Sequence, residues 1–324
     1  MTTYKEIRGT NIEVVSSDPS NPVLGQVWYN STDNVVKGLS SNPGSWATQN
    51  DLVNPRSANA GAGTQSGAII FAGSPPGTRT ELWNGTNWTE VNDLTFGRNT
   101  GSGCGASSTA ALAFAGVPTS VWVKTESWNG TNWSQVNDLN QGKERTAGSG
   151  IQTSALNYGG EAPGSTGLTE SWNGTNWTEV ADLNTARHAL QGAGNSNTSA
   201  LAFGGRPSTA VTELFNGSSW TEVNDLGAGR YDMGSAGTAT LALGYGGKTS
   251  PSGTPPDAYV GLTESWNGTN WSETGDMNIA RNLPRGAGTQ AAAIAGGGAG
   301  PAPTGDQSAE SFNSGPITVT FTDS

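Results

Sequence analysis

The chain is poor in the residue types that carry most protein chemistry: its 324 residues include one cysteine, Cys104, one histidine, His188, and three methionines. A single thiol excludes an internal disulfide, so cysteine usage says nothing about the redox compartment. The same scarcity excludes zinc and haem sites, which draw on several soft ligands. Calcium stays open because Asp and Asn oxygens abound, although no EF-hand loop occurs; the reading assigns no cofactor and no metal. Cations are scarce too: 15 Lys and Arg stand against 26 Asp and Glu, a net charge of −11. A phosphate backbone is bound through clustered cations, so nucleic acid is excluded as a partner. No apolar run reaches the ~18 residues that a membrane span needs, which argues against membrane insertion. The opening Met1-Thr-Thr-Tyr-Lys-Glu lacks the apolar core of a secretory signal, so a soluble chain without a leader is expected.

What the chain has is glycine, 48 residues, and 12 tryptophans, a combination that a disordered low-complexity chain would not show. Self-comparison explains both. Thr80-Glu81-Leu82-Trp83-Asn84-Gly85-Thr86-Asn87-Trp88 returns at 125–133, 169–177, 212–220 and 263–271, with a worn copy from Ala309 to Ile317. The second aromatics, Trp88, Trp133, Trp177, Trp220 and Trp271, recur at intervals of 43 to 51 residues, the period of a four-stranded propeller blade. Each unit reads as four strands. Strand a is a small-residue segment such as Gly61-Ala62-Gly63, suited to a crowded axis. Strand b is an apolar run ending in paired glycines, as in Leu201-Ala202-Phe203-Gly204-Gly205. Strands c (Thr-Glu-x-Trp) and d (Trp-Thr-Glu) flank an Asn-Gly, which predicts a type I′ hairpin with both central residues at positive φ. The repeated Trp residues read as core between neighbouring sheets, each worth roughly 5 kcal/mol at most from ~200 Å² of burial. The sequons at Asn84 and its copies read as turn chemistry rather than glycosylation sites.

The basic residue, paired glycines, aromatic and Trp of each unit resemble the kelch repeat over roughly residues 46 to 320. Two departures are visible: Ala72-Gly73 and Ala115-Gly116 replace the double glycine, and Ile317 stands where a Trp is expected. The resemblance implies an all-β fold, a six-bladed kelch-like β-propeller of four-stranded blades at 46–324, and usually protein or glycan binding. It is preceded by an N-terminal arm and hairpin at 1–45. There, Lys5 to Val15 reads as extended, and Gly25-Gln26-Val27-Trp28-Tyr29-Asn30-Ser31-Thr32 with Val35-Val36-Lys37-Gly38 reads as a hairpin. This element resembles one in tail-fibre-like virion proteins of tailed bacteriophages, including marine phages. That resemblance implies a virion protein attached to other virion proteins through the arm, with the distal domain facing the host; a homo-oligomer is compatible with it, though no heptad run supports a coiled coil.

Trp46-Ala47-Thr48-Gln49-Asn50-Asp51-Leu52 matches the strand-d stretch from Trp88 register for register, yet no repeat precedes it. Seven d-type segments therefore serve six blades. The Trp46 strand is expected to close the ring in the sixth blade, because Pro316 lacks an N–H and weakens the rival segment Ile317 to Phe321.

Catalysis can be tested by inventory. Copper chemistry of the galactose oxidase type needs more histidine than His188 supplies, no Ser sits in an elbow motif, and no carboxylate pair stands out for glycan hydrolysis. Cys104 replaces alanines of other copies and reads as packing. The chain is thus expected to be non-enzymatic and to bind a host-surface receptor, a glycan or a protein; a structural capsid, neck or tail decoration protein and a glycan depolymerase are the alternatives. Length variation places the binding face: the b-to-c spacing ranges from 8 to 17 residues while the rest of the repeat is nearly invariant, and variable loops on a rigid scaffold carry recognition. On that face lie Trp122, His188, Tyr231, Lys248 and Tyr259, the aromatics Trp122 and Tyr259 being without counterparts in other repeats. The d-to-a loops carry a basic ring, Arg56, Arg98, Lys143, Arg187, Arg230 and Arg281, each five residues after an acid from Asp51 to Asp276. Loop-bracing ion pairs with those acids are favoured over an anion-binding ring.

Overall fold

The computed structural model describes residues 12–74, 77–250, 257–300 and 306–321. They form two compact units, one of residues 12–44 with 314–321 and one within residues 45–313. The larger unit is all-β and holds six four-stranded blades, in five of which chain order is strand order. Blade 1 runs Ala60–Thr64, Gly67–Phe71, Thr80–Trp83 and Trp88–Val91, strands a to d from the axis outward. Blades 2 to 5 repeat this over residues 102–135, 147–180, 191–223 and 234–273. Blade 6 takes strands a to c from Arg285–Gly288, Ala292–Gly296 and the start of Ala309–Phe321, and strand d from the end of Val35–Gln49. Closure by the Trp46 strand is thereby met. The segment from Ile317 forms no strand d. Instead, Ala309–Phe321 continues as one strand through Gly315-Pro316, and residues 314–321 group with the N-terminal segment rather than with the propeller. Physically, the outer place of blade 6 is already filled by a strand that brings an indole to bury, and Pro316 has no N–H for a ladder.

Two features of the repeat explain the register. Gly103 is a glycine because Phe71 of the preceding blade reaches across: a Cβ there would lie 2.4 Å from Phe71 Cζ. The strand-d Trp of each blade then packs on that strand-b aromatic of the preceding blade, as in Trp133 on Phe71 (4.7 Å), Trp177 on Phe114 (5.1 Å) and Trp46 on Tyr245 (4.9 Å). Its indole Nε1 donates to the preceding strand-c Thr at four junctions, among them Trp133 to Thr80, Trp177 to Thr125 and Trp46 to Thr263, each at 3.0 Å, whereas Trp220 Nε1 is buried without an acceptor although Thr169 stands in that register. The junction of blades 6 and 1 lacks both partners, since Gly296 and Ala309 occupy those registers, and Trp88 Nε1 is buried without an acceptor.

The c-to-d connections differ from the expected two-residue turn. Trp83 pairs with Trp88 across a four-residue loop in which Gly85 alone has positive φ (92°). Asn84 instead accepts from the N–H groups of Thr86 and Asn87 (2.9 Å each), so its side chain builds an Asx-type turn.

In the smaller unit, Glu13–Val15 pairs parallel to Val27–Asn30, which pairs antiparallel with the start of Val35–Gln49. The expected hairpin is present; most of the arm before it, residues 1–11, lies outside the described residues. Asp18 organises this unit by accepting from Asn30 (2.8 Å), Trp28 (3.0 Å) and Lys37 (3.0 Å), which lowers its carboxyl to about 2.

Candidate functional site

Each blade builds the same frame at the end of the channel where d-to-a and b-to-c loops meet. The last glycine of strand b donates its N–H to the carbonyl of the basic residue of the next blade: Gly73 to Arg98, Gly116 to Lys143, Gly160 to Arg187, Gly205 to Arg230, Gly247 to Arg281 and Gly298 to Arg56, at 2.8 to 3.1 Å. These six bonds close the ring. They require positive φ at the donor and at the residue before it, which explains the paired glycines; Ala72 (62°) and Ala115 (60°) adopt the same conformation without the glycine advantage.

The basic side chains turn inward. Arg98 pairs with Glu126 at 2.8 Å, Arg230 with Glu264 at 2.7 Å and Arg281 with Glu310 at 3.2 Å; Arg56–Glu81 and Arg187–Glu213 are equivalent pairs. All five arginines are buried. This corrects the expected pairing: the partner is the Glu of Thr-Glu-x-Trp, and the acid five residues earlier accepts the strand-c Thr N–H instead, as Asp182 does from Thr169 (2.9 Å). The Glu carboxylates also accept backbone N–H groups, for example Thr95 to Glu126 at 2.7 Å; in the Arg281–Glu310 pair the facing Nη2 and Oε1 are in ion-pair contact without a hydrogen bond. Lys143, with a shorter reach, donates to the Leu168 carbonyl (2.5 Å), and burial pushes it down to about 8. The basic ring is therefore internal bracing, not a ring of ligand-facing cations.

The ligand-facing positions come next in sequence. The residue after each basic residue forms a backbone bridge with the residue after the last glycine: Ser57 with Ser74, Asn99 with Val117, Glu144 with Glu161, His188 with Arg206, Tyr231 with Lys248 and Asn282 with Ala299. One residue further on, Ala58, Thr100, Arg145, Ala189, Asp232 and Leu283 all sit at φ between 53° and 56°. They are joined by hydrogen bonds from Thr100 N to Ala58 O and onward to Leu283, at 2.6 to 3.1 Å. In a chain with 48 glycines, a left-handed conformation held six times by non-glycine residues means that side chains are being kept at a cost.

These positions are chemically lopsided. Blades 1, 2 and 6 place only neutral residues there, whereas blades 3, 4 and 5 place Glu144, Arg145, Glu161, His188, Arg206, Tyr231, Asp232 and Lys248. Arg206 lies over the Tyr231 ring (4.5 Å) and 3.8 Å from Asp257. Lys248 lies over Tyr259 (4.6 Å). Tyr231 is 2% exposed, and burial together with its hydrogen bond to Asp257 raises its phenol. Trp122 is half-buried, packed against Gly142, with its Nε1 unpartnered. The expected aromatics are thus wedged between loops rather than displayed; Tyr259 stands in a two-stranded piece, Lys248–Thr249 with Ala258–Tyr259, whose tip at 251–256 lies outside the described residues.

His188 keeps one partner at hydrogen-bond length, Ser165 Oγ at 2.9 Å from Nδ1; Glu161 Oε2 is 3.9 Å from Nε2, and burial lowers the imidazole so that it is neutral at pH 7. The second contact is beyond hydrogen-bond length, so Ser165, His188 and Glu161 do not form a continuous hydrogen-bonded series. Among the described residues no group of three His, Cys, Asp or Glu side chains converges as metal ligands. Sequence reasoning reached His188, Tyr231, Lys248 and Tyr259 but missed Glu144, Arg145, Glu161, Arg206, Asp232 and Asp257. The signal was available: the invariant basic residue and last glycine define a register, and reading one residue beyond each finds most of the cluster.

The architecture and its mouth define a six-bladed β-propeller with a polar face over half of its blades. No family model matches the chain, and no curated protein matches it. Solved structures do, among them the structure of YjhT, with a TM-score of 0.68 and 11% identity over 81% of this chain and 95% of that one; at that identity the likeness concerns the fold alone.

Proposed function

We propose that the chain is a kelch-like virion appendage protein of a tailed bacteriophage that binds a host-surface glycan, without catalysis, through the channel mouth over blades 3 to 5. The observation that carries the binding reading is the contrast within one repeat: a frame repeated in every blade holds side chains that differ from blade to blade and are charged in only three of them. Architecture demands the first and has no use for the second. Charged groups beside aromatic rings, Arg206 on Tyr231 and Lys248 on Tyr259, suit a sugar, whose hydroxyls take hydrogen bonds and whose C–H face takes aromatic contact. The virion attribution is supported by the resemblance of the Gly25-to-Thr32 element. Labelled protein applied to a panel of fixed marine bacteria tests the proposal: saturable binding that periodate treatment of the cells abolishes is the expected result. Binding that survives periodate and disappears after protease treatment would replace the glycan with a protein receptor, and no binding to any strain would remove the receptor role.

A further inference from the structure

The channel itself is lined by the six innermost strands, and nearly every lining residue is Gly, Ala or Ser. Gln191 and Arg285 are the large exceptions, and they share a register. Gln191 pairs with Phe203 as Arg285 pairs with Gly296, Ala60 with Phe71, Ser102 with Phe114, Ala147 with Tyr158 and Gly234 with Tyr245. That ring follows two residues after the belt of left-handed residues, so it is the first layer below the mouth.

Both side chains have donors to spare. Arg285 Nη1 donates to the Met233 carbonyl, while Nε and Nη2 meet no acceptor and no carboxylate lies at ion-pair distance among the described residues. Gln191 is 7% exposed; its Oε1 accepts from Ser235 (3.2 Å) and its Nε2 is without a partner among the described residues. Ser149, 4% exposed, lines the same space, its Oγ turned to the buried Tyr158 phenol. Elsewhere the fold gives each of five buried arginines a glutamate, but it gives Arg285 none. A half-buried guanidinium with open donors is a receptor for a planar carboxylate. Burial lowers Arg285, and the charge of Asp232 opposes that shift without reaching it as a partner. The space is about 110 Å³.

We infer that the channel is a binding site for an acidic sugar, with the carboxylate seated on the Arg285 guanidinium and a hydroxyl on Gln191. This deepens the glycan reading of the mouth, on which it rests: the terminal acidic residue of a chain would enter the channel while its neighbours lie on blades 3 to 5. The test is calorimetric titration of the protein with sodium glucuronate, beside glucose and sodium chloride at matched ionic strength. Glucuronate is expected to bind in the millimolar range, glucose at least tenfold more weakly, and Arg285→Gln to lose at least tenfold in glucuronate affinity while its melting temperature shows it folded. Gln191→Leu should lose a few fold. Equal glucuronate affinity in wild type and Arg285→Gln, or no heat from wild type up to 50 mM on this ~millimolar expectation, overturns the inference. Cell binding separates the two readings. Cell binding without a glucuronate response leaves the receptor reading and removes the channel site; glucuronate binding without cell binding does the reverse.

Discussion

Ala309→Thr should stabilise the protein, and the reasoning can be checked from both directions. Trp88 Nε1 is buried at the junction of blades 6 and 1 with no acceptor, and Ala309 stands where Thr80, Thr125 and Thr263 each accept an indole N–H at 3.0 Å; Trp220 Nε1 also lacks an acceptor, although Thr169 stands in its register. An unsatisfied buried donor costs about 1–3 kcal/mol, and a restored neutral hydrogen bond returns about 1 kcal/mol net. The hydroxyl proton has its own acceptor in the parent geometry, as Thr263 shows by donating to the Gly261 carbonyl (3.3 Å). A gain of about 1 kcal/mol corresponds to a rise of about 2 °C in a domain of this size. The mirror substitution, Thr125→Val, keeps the shape, strands Trp177 Nε1 and should cost about 1–3 kcal/mol. Calorimetry on wild type and both variants at pH 7 reads the difference. An Ala309→Thr protein no more stable than wild type, together with a Thr125→Val protein that loses nothing, would refute the claim that indole-to-threonine bonds tie the blades.

Three further outcomes follow from the same frame. Arg187→Met leaves Glu213 buried and unpaired and should cost on the order of 3–5 kcal/mol, and the double variant Arg187→Met, Glu213→Leu should recover only part of it, because the Asn184 and Thr185 N–H groups lose their acceptor; urea unfolding measures both. Lys143 is held at about 8 in the folded chain, against an unfolded value of 10.5, so the unfolded state binds more protons between those values and stability should rise with pH across that window. Lys143→Arg, whose fork can reach Glu170 as its counterparts do, should be more stable at pH 7 and lack that rise in a pH series of melting temperatures. Trp46→Ala should cost more than the ~3–5 kcal/mol of a core tryptophan, because it also loosens the strand that closes blade 6; limited proteolysis should then cut near residue 50.

The propeller was legible because its determinants are local and repeated. Asn-Gly, the paired glycines and the Trp of strand d each mark a turn, a left-handed corner or a packing site, and repetition at 43 to 51 residues multiplies weak signals. The turn type was not legible, since Asn84 works through its side chain and not through its own φ. Nor was the partner of the basic ring: the acid five residues away is close in sequence, but the d-to-a loop folds back onto strand c, where Glu126 receives Arg98. The mouth was half-legible. His188 and Tyr231 were marked by their rarity, while Glu161 and Arg206 became meaningful only when the bridge partners of the frame were known.

The central claim, that recognition occurs at the mouth over blades 3 to 5, is tested most directly by cell binding of Arg206→Ala beside Thr131→Ala. Arg206 is 40% exposed at the mouth, and Thr131 is exposed in a c-to-d turn at the opposite end of its blade. With both proteins folded, Arg206→Ala should lose at least tenfold in affinity for the cells, and Thr131→Ala should bind as wild type does. Loss in Thr131→Ala with none in Arg206→Ala would place the receptor on the other face and contradict the account.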